Sequence, residues 1–287
     1  MFRSLLFIPG NNERFLKKSS SLHPDILCFD LEDSVPLNEK DSARELVARQ
    51  LTSQEEHNES SVYVRINSIE SRMVDDDLER VMVDGLDGIV LPKISTSQEV
   101  MQIIHKIDEI VSKKQISSRI QIIPSIETAR GVVNANSIAS AHENVTALVF
   151  GVFDYLYDMN IDMEYDDFMS CNYARSKIPI DAIAAGKYAL DGIWQKVEDV
   201  NGLINDATNA KRLGYSGKTL IHPSHIKPVH EIFRPTKQQL EWARKVLAAL
   251  ENSFEKENAK GAILLDGKMI DAVHYKQAKA VINAANQ

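Results

Sequence analysis

Eight short apolar runs, continuous rather than alternating, recur along most of this chain and leave it few ways to fold. They are SLLFIPG (4–10), ILCFDLED (26–33), VYVRIN (62–67), GIVLPK (88–93), IQIIPSIE (120–127), ALVFG (147–151), YALDGI (188–193) and KTLIHP (218–223). Unbroken apolar runs of this length predict strands covered on both faces, as in a parallel sheet. The segments between them read as helices. EKDSARELVARQL (39–51) and SQEVMQIIHKIDEIVSKK (97–114) carry apolar residues at three- and four-residue spacing. Asp41 or Ser42 falls in or near the first turn of the former, and Ser95 or Ser97 is the expected N-cap of the latter. Eight strand–helix repeats predict an α/β fold of the (β/α)8 TIM-barrel kind, whose usual size is about 250 residues. A doubly wound open sheet is the alternative. No G-x-G-x-x-G follows the first run, so a dinucleotide-binding sheet has no motif behind it.

The pattern changes near residue 235. The expected division is a barrel over 1–235 and a C-terminal extension over 236–287. PTKQQLEWARKVLAALENSFEKENAK (235–260) reads as one long amphipathic helix. Asp266-Gly267 between AILL and KMID predicts a hairpin turn, and HYKQAKAVINAA a final helix. This tail is too small and too poor in apolar residues to fold alone.

Composition excludes some functions. A net charge of −8 argues against nucleic acid as the partner, while leaving room for an anionic small ligand bound by local basic groups. No apolar run is long enough to span a membrane. The start, MFRSLLFIPG, lacks the features of a secretory signal. Cys28 and Cys171 match neither a disulfide framework nor a zinc spacing. Free thiols and a cytoplasmic location are expected.

Barrel active sites form where the strands end. The runs end in Pro9-Gly10-Asn11; in Asp30, Glu32 and Asp33; in Arg65 and Asn67; and in Lys93, Glu127, Asp154, Asp191 and His222. Gathered at one mouth, the carboxylates repel and raise one another's pKa. A divalent cation relieves that repulsion, and an oxygen-only donor set suits Mg²⁺. Glu127 and Asp154, each a lone acid closing an apolar strand, are the expected ligands. Asp30, Glu32 and Asp33 form an outer ring that orients waters and basic groups. Other readings stay open for each residue. Glu127 also suits the first turn of a helix. Arg65 also suits a structural ion pair, and Lys93 is read as a salt bridge. His222, before Pro223, is read as a buried, hydrogen-bonded core histidine. The residues alone stop at an acidic mouth with one arginine and do not name a substrate.

The ordered motifs go further. RSLLFIPGNNERFLKKS (3–19), FDLEDSVPLNEKDSAR (29–44), VYVRIN (62–67), GLDGIVLPKI (85–94), IIPSIETARGVVNA (122–135), LVFGVFD (148–154), ALDGIW (189–194) and GYSGKTLIHPSHI (214–226) resemble the citrate lyase β-subunit-like family of the HpcH/HpaI aldolase superfamily. Malyl-CoA and citramalyl-CoA lyases are among its members. The resemblance implies a (β/α)8 barrel assembled as a homotrimer or hexamer, with Mg²⁺ on Glu127 and Asp154. It implies that Arg65 contacts the reacting oxygens and that Arg14 and Lys18 suit the phosphates of a CoA substrate. The segment GKMID (267–271) matches a C-terminal lid that closes over a neighbouring subunit, with Asp271 as a catalytic acid. The implied reaction is a Claisen-type cleavage, or its reverse, of a malyl-CoA- or citramalyl-CoA-type 3-hydroxyacyl-CoA. Its products are an acyl-CoA and a 2-oxoacid, glyoxylate or pyruvate. Alternatives on the same site are a malyl-CoA thioesterase or malate-synthase-like activity, a class II pyruvate aldolase without CoA, and a citrate-lyase-like subunit working with an acyl-carrier protein. Two departures bear on the acyl part of the substrate: Phe153, where many relatives have Glu, and the bulky loop YLYDMN (155–160).

Overall fold

A computed structural model describes residues 2–53, 60–162, 168–254 and 261–285. Eight parallel strands close into a barrel: β1 (Ser4–Pro9), β2 (Ile26–Asp30), β3 (Ser61–Arg65), β4 (Gly88–Leu91), β5 (Gln121–Ile126), β6 (Ala147–Phe150), β7 (Tyr188–Asp191) and β8 (Gly217–Leu220). Closure of β8 on β1, with Leu6 opposite Leu220, rules out the open sheet. The helices between and after these strands are α1 (Glu13–Ser19), α2 (Lys40–Leu51), α3 (Val74–Val81), α4 (Ser97–Lys114), α5 (Ala129–Ala139), α6 (Val152–Asp158), α7 (Asn172–Ala184), α8 (Val200–Leu213) and α9 (Ile226–Phe233).

The continuous apolar runs arise because each strand buries both faces. One face packs on the surrounding helices. The other fills the barrel, where Leu5, Ile26, Cys28, Tyr63, Val90, Ile123, Ala147, Val149 and Leu190 form one buried cluster. Above this layer, toward the strand ends, the side chains become polar, and at the strand starts the Tyr63 hydroxyl donates to Gln121 at 2.8 Å. Both cysteines are buried and free. No helix among the described residues is long and apolar enough to cross a membrane.

Local chemistry explains one departure from the sequence reading. Thr96, not Ser95 or Ser97, caps α4. The Thr96 hydroxyl accepts from the Glu99 N–H, and the Glu99 carboxylate accepts from the N–H groups of Thr96 and Ser95. Only a residue three positions before Glu99 can close that reciprocal box.

A second departure concerns Asp191. It does not face the mouth with the other strand-end acids. It accepts from Arg175 Nη2 at 2.7 Å and from Lys218 Nζ at 2.6 Å, and both cations also reach Asp206 at 2.6 Å. These four residues are all buried and their formal charges cancel. They join α7, β7, α8 and β8, which fixes the part of the barrel where the ring closes. A third departure is His222. It is exposed and bonds to Ser224, and the buried histidine is His225, within reach of the Val197 carbonyl at 3.1 Å. β8 ends at Leu220 and Ile221 lies on the rim of the cavity, so His222 stands where the chain has already left the barrel wall.

The chain divides into two compact units, Phe2–His230 and Glu231 onward. The second contains α10 (Lys237–Phe254), an antiparallel hairpin of β9 (Ala262–Leu265) and β10 (Lys268–Asp271), and α11 (Ala272–Ala285). The part of the long-helix reading that covers 255–260 lies outside the described residues. Asp266 and Gly267 both have positive φ, 48° and 76°, as a two-residue hairpin turn requires. Ala243, Val246, Leu250, Ile270 and Ala278 make this unit's own small core.

Candidate active site

The end of β2 lays the foundation. Asp30 is 1% exposed, and its two oxygens accept from the N–H groups of Glu32 (2.9 Å) and Ser34 (3.1 Å), which curls the following loop back over the strand end. Lys40 holds that loop from behind through the carbonyls of Leu31 and Glu32. Arg65, at the end of β3, forks onto Asp30 with Nε–Oδ1 at 2.6 Å and Nη2–Oδ2 at 2.7 Å. Its remaining nitrogen lies 3.1 Å from Glu32 and 3.4 Å from Asp33. The ring of Phe7 supports the guanidinium face at 4.6 Å. Arg65 is therefore in an ion pair, and it also lines the open cavity. The ion-pair reading made from sequence is met, and the same side chain faces the cavity.

Glu127 is not a helix-turn acid. Thr128 caps α5 by accepting from the Gly131 N–H at 2.9 Å, so Glu127 precedes the cap and belongs to the strand end. It is 4% exposed and lines the cavity. Asp154 lies in the first turn of α6 and lines the same cavity. The two are bridged by Lys93. Its backbone N–H donates to Glu127 Oε2 at 2.9 Å, and its Nζ lies 3.5 Å from Asp154 and 2.7 Å from Glu32. Lys93 adopts φ of +54°, an uncommon backbone for a lysine. Pinned at both ends by carboxylates, it is held there. Gly151 has a steric duty. A Cβ at this position would stand 2.2 Å from Glu127 Cγ and 2.6 Å from Oε1. The backbone of β6 thus leaves a cradle that only the Glu127 side chain fills.

The cavity measures about 450 Å³. Besides the residues named, Ser125, Val149, Phe153, Ile193 and Thr219 line it. Most of the segment read from sequence as a loop, 155–160, is helical: α6 runs on through Asp158, whose carboxylate accepts from the Ala129 N–H at 2.7 Å and ties the helix end down.

The charges are unbalanced. Asp30, Glu32, Asp33, Glu127 and Asp154 face two cations, Arg65 and Lys93. Burial pushes the Glu127 carboxyl up, and the nearby charges of Glu32 and Asp154 add to it, bringing its pKa to about 8. Burial likewise lifts Glu32, to about 7, against the pull of Arg65. Burial acts upward on Asp30 too, but the Arg65 guanidinium outweighs it and holds that carboxyl below its usual range. Among the described residues no group of three or more His, Cys, Asp or Glu is placed to hold a metal unaided. A cation here would keep most of its coordination sphere for waters or substrate. That suits a hard ion that retains such ligands, and the excess negative charge fits the same ion.

Arg14 and Lys18 are exposed on α1, one turn apart, outside the cavity lining. Asp271, at the end of β10, accepts from the Val273 N–H at 3.0 Å and lies 2.7 Å from His274 Nδ1, where it caps α11. The hydrogen bond to His274 holds its pKa down. Lys93 stands in the salt bridges read for it from sequence, to Glu32, Asp33 and Asp154. Its left-handed backbone, and the two cavity-lining residues Gly151 and Ser125, were not singled out. Gly151 follows an apolar run directly, which is a signal, though a common one. Ser125 is two residues before Glu127 and looks like any small strand residue.

A closed barrel that gathers five carboxylates and two cations around one cavity at its strand ends has the build of a barrel enzyme's active site. Residues 3–223 match the HpcH/HpaI aldolase/citrate lyase family, and the chain belongs to it. The citrate lyase subunit beta of Haemophilus influenzae is 34% identical over 99% of this chain and 96% of its own length. The mitochondrial citramalyl-CoA lyase of Rattus norvegicus is 30% identical over 99% of this chain and 86% of its own. Among solved structures, the CitE protein of Mycobacterium tuberculosis, in complex with magnesium, acetoacetate and coenzyme A, superimposes with a TM-score of 0.79 at 27% identity. It covers 100% of this chain and 98% of that one.

Proposed function

We propose that this protein is a Mg²⁺-dependent carbon–carbon lyase that cleaves a 3-hydroxy-3-carboxyacyl-CoA into an acyl-CoA and a 2-oxoacid, and runs the condensation in reverse. The observation that carries the reading is the pair Glu127 and Asp154 on one cavity, joined through Lys93, with more carboxylates around them than cations. Glu127 and Asp154 would hold the ion. When bound, it would supply Lewis-acid stabilisation to the substrate oxygen that becomes the carbonyl of the 2-oxoacid. Arg65, locked in direction by Asp30, offers a fixed positive charge to the enolate oxygen of the thioester fragment. Because the guanidinium is already oriented, little reorganisation accompanies the reaction. Phe153, Val149 and Ile193 give the cavity an apolar wall that limits water near the enolate. Arg14 and Lys18 present exposed positive charge to the phosphates of CoA. Asp271 exchanges the proton at the enolate carbon from an adjoining copy in a homotrimer or hexamer, the arrangement the family resemblance implies.

The test is a panel of 3-hydroxyacyl-CoAs incubated with enzyme and Mg²⁺ while 2-oxoacid release is followed. Release from a malyl-CoA- or citramalyl-CoA-type substrate that stops in excess EDTA supports the reading. Undiminished release in EDTA refutes the metal role. Asp271→Asn should remove nearly all turnover and leave Mg²⁺ binding intact, and normal turnover removes Asp271 from the mechanism. The 34% identity to a citrate lyase subunit favours a second reading, in which the acyl group rides on a carrier protein. Co-purification with such a carrier, together with inactivity toward every free CoA thioester, decides for it.

A further inference from the structure

Ser125 is 1% exposed, and its hydroxyl has no hydrogen-bond partner among the described residues. Leaving a buried hydroxyl unpaired is costly, and Ala would serve the strand without that cost. The position is not deep in the core. Ser125 lines the cavity, two residues before Glu127, and strand alternation puts the two side chains on one face. Below it on the same face, Ile123 belongs to the apolar filling of the barrel. Ser125 is thus the layer between that filling and the carboxylates. Its register partner on β6, Val149, offers no polar atom, nor does Phe7. The hydroxyl of Thr219 is already committed to the Asp191 carbonyl at 3.1 Å.

We propose that Ser125 is a specificity residue whose hydroxyl binds an oxygen on the substituent of the 2-oxoacid fragment. The preferred fragment then carries a hydroxyl or carboxyl there, in place of a bare hydrogen or methyl. This rests on the proposed function, which sets the carbonyl and carboxylate of the fragment against the ion at Glu127 and Asp154. The group left to turn toward the barrel floor is the third substituent on the carbonyl carbon. Hydrogen or methyl in that place leaves Ser125 unpaired. An oxygen in that place satisfies it.

The test is calorimetric binding of pyruvate and 3-hydroxypyruvate to the full chain with Mg²⁺, in wild type, Ser125→Ala and Ser125→Thr. The two ligands differ by one hydroxyl oxygen. Wild type should prefer 3-hydroxypyruvate by about tenfold or more, the worth of one buried hydrogen bond. Ser125→Ala should bring the two ligands to within about twofold, and Ser125→Thr, which keeps the hydroxyl, should retain the preference. A wild type without preference, or a preference surviving in Ser125→Ala, overturns the proposal while leaving the proposed function standing. If neither oxoacid binds wild type with Mg²⁺, the proposed function fails and this inference fails with it. Thermal unfolding separates a structural role: the midpoint of Ser125→Ala should not fall, and a drop beyond about 3 °C assigns the hydroxyl to the fold and overturns the proposal.

Discussion

Replacing Glu127 by Gln should make the metal-free protein more stable at high pH. In the unfolded chain the carboxyl ionises near 4.5, and in the folded protein near 8, chiefly because burial disfavours its charge. Below pH 4.5 both states hold the proton. Between these values only the folded state holds it, so stability falls as pH rises. The loss is complete above about 8. At about 1.4 kcal/mol per pH unit, the interval corresponds to roughly 5 kcal/mol, and Glu127 is buried enough that solvent does little to screen it. Glu127→Gln keeps the shape and cannot ionise. Urea unfolding at pH 5, 7 and 9 in EDTA gives the comparison, with the difference between wild type and variant removing most other titrations. The variant should gain on wild type by about 2–5 kcal/mol from pH 5 to pH 9. Saturating Mg²⁺ at pH 9 should stabilise wild type and leave the variant nearly unmoved, because ligand binding to the folded state adds stability only where a site exists. Parallel pH curves for the two proteins would refute the claim that a buried, unneutralised carboxylate sits at this mouth.

Three further perturbations probe the surroundings. Gly151→Ala puts a methyl where Glu127 lies and should cut Mg²⁺ affinity by about tenfold or more; Gly261→Ala, with nothing within 4 Å, should leave the calorimetric isotherm unchanged. Arg65→Lys removes the fork on Asp30 and should lower kcat by about 100-fold in the oxoacid-release assay. Lys218→Met leaves Asp191 and Asp206 sharing Arg175 alone and should cost about 3–5 kcal/mol in urea unfolding; a loss below about 1 kcal/mol speaks against the buried quartet as a lock.

The barrel was legible in the sequence because burial on both faces writes itself as unbroken apolar runs, and all eight became strands. The hairpin was legible for a different reason: Asp266-Gly267 is a pair that tolerates two positive φ angles in succession. Direction was harder to read. Asp191 and Asp154 both follow apolar runs, yet one turns into the barrel wall and the other toward the mouth. Which way each turns depends on Arg175, Asp206 and Lys218 meeting in space, and no local pattern announces that. His222 and His225 are three residues apart, and their exposures are set by the path of the chain after β8. The acids of the mouth were visible as residues. Lys93 was visible as a salt-bridge residue, but its left-handed backbone, and the room that Gly151 leaves for Glu127, emerged only with backbone angles and contacts in hand.

The ring is closed by its first and last strands, with Ser4 opposite Lys218. These two ends of the sheet leave the ribosome far apart in time. Until the last strand is made, the first has an open edge, and the acids of the intervening strand ends lack a fixed frame. On the proposed metal role, a chain cut short before β8 should be unable to retain the ion.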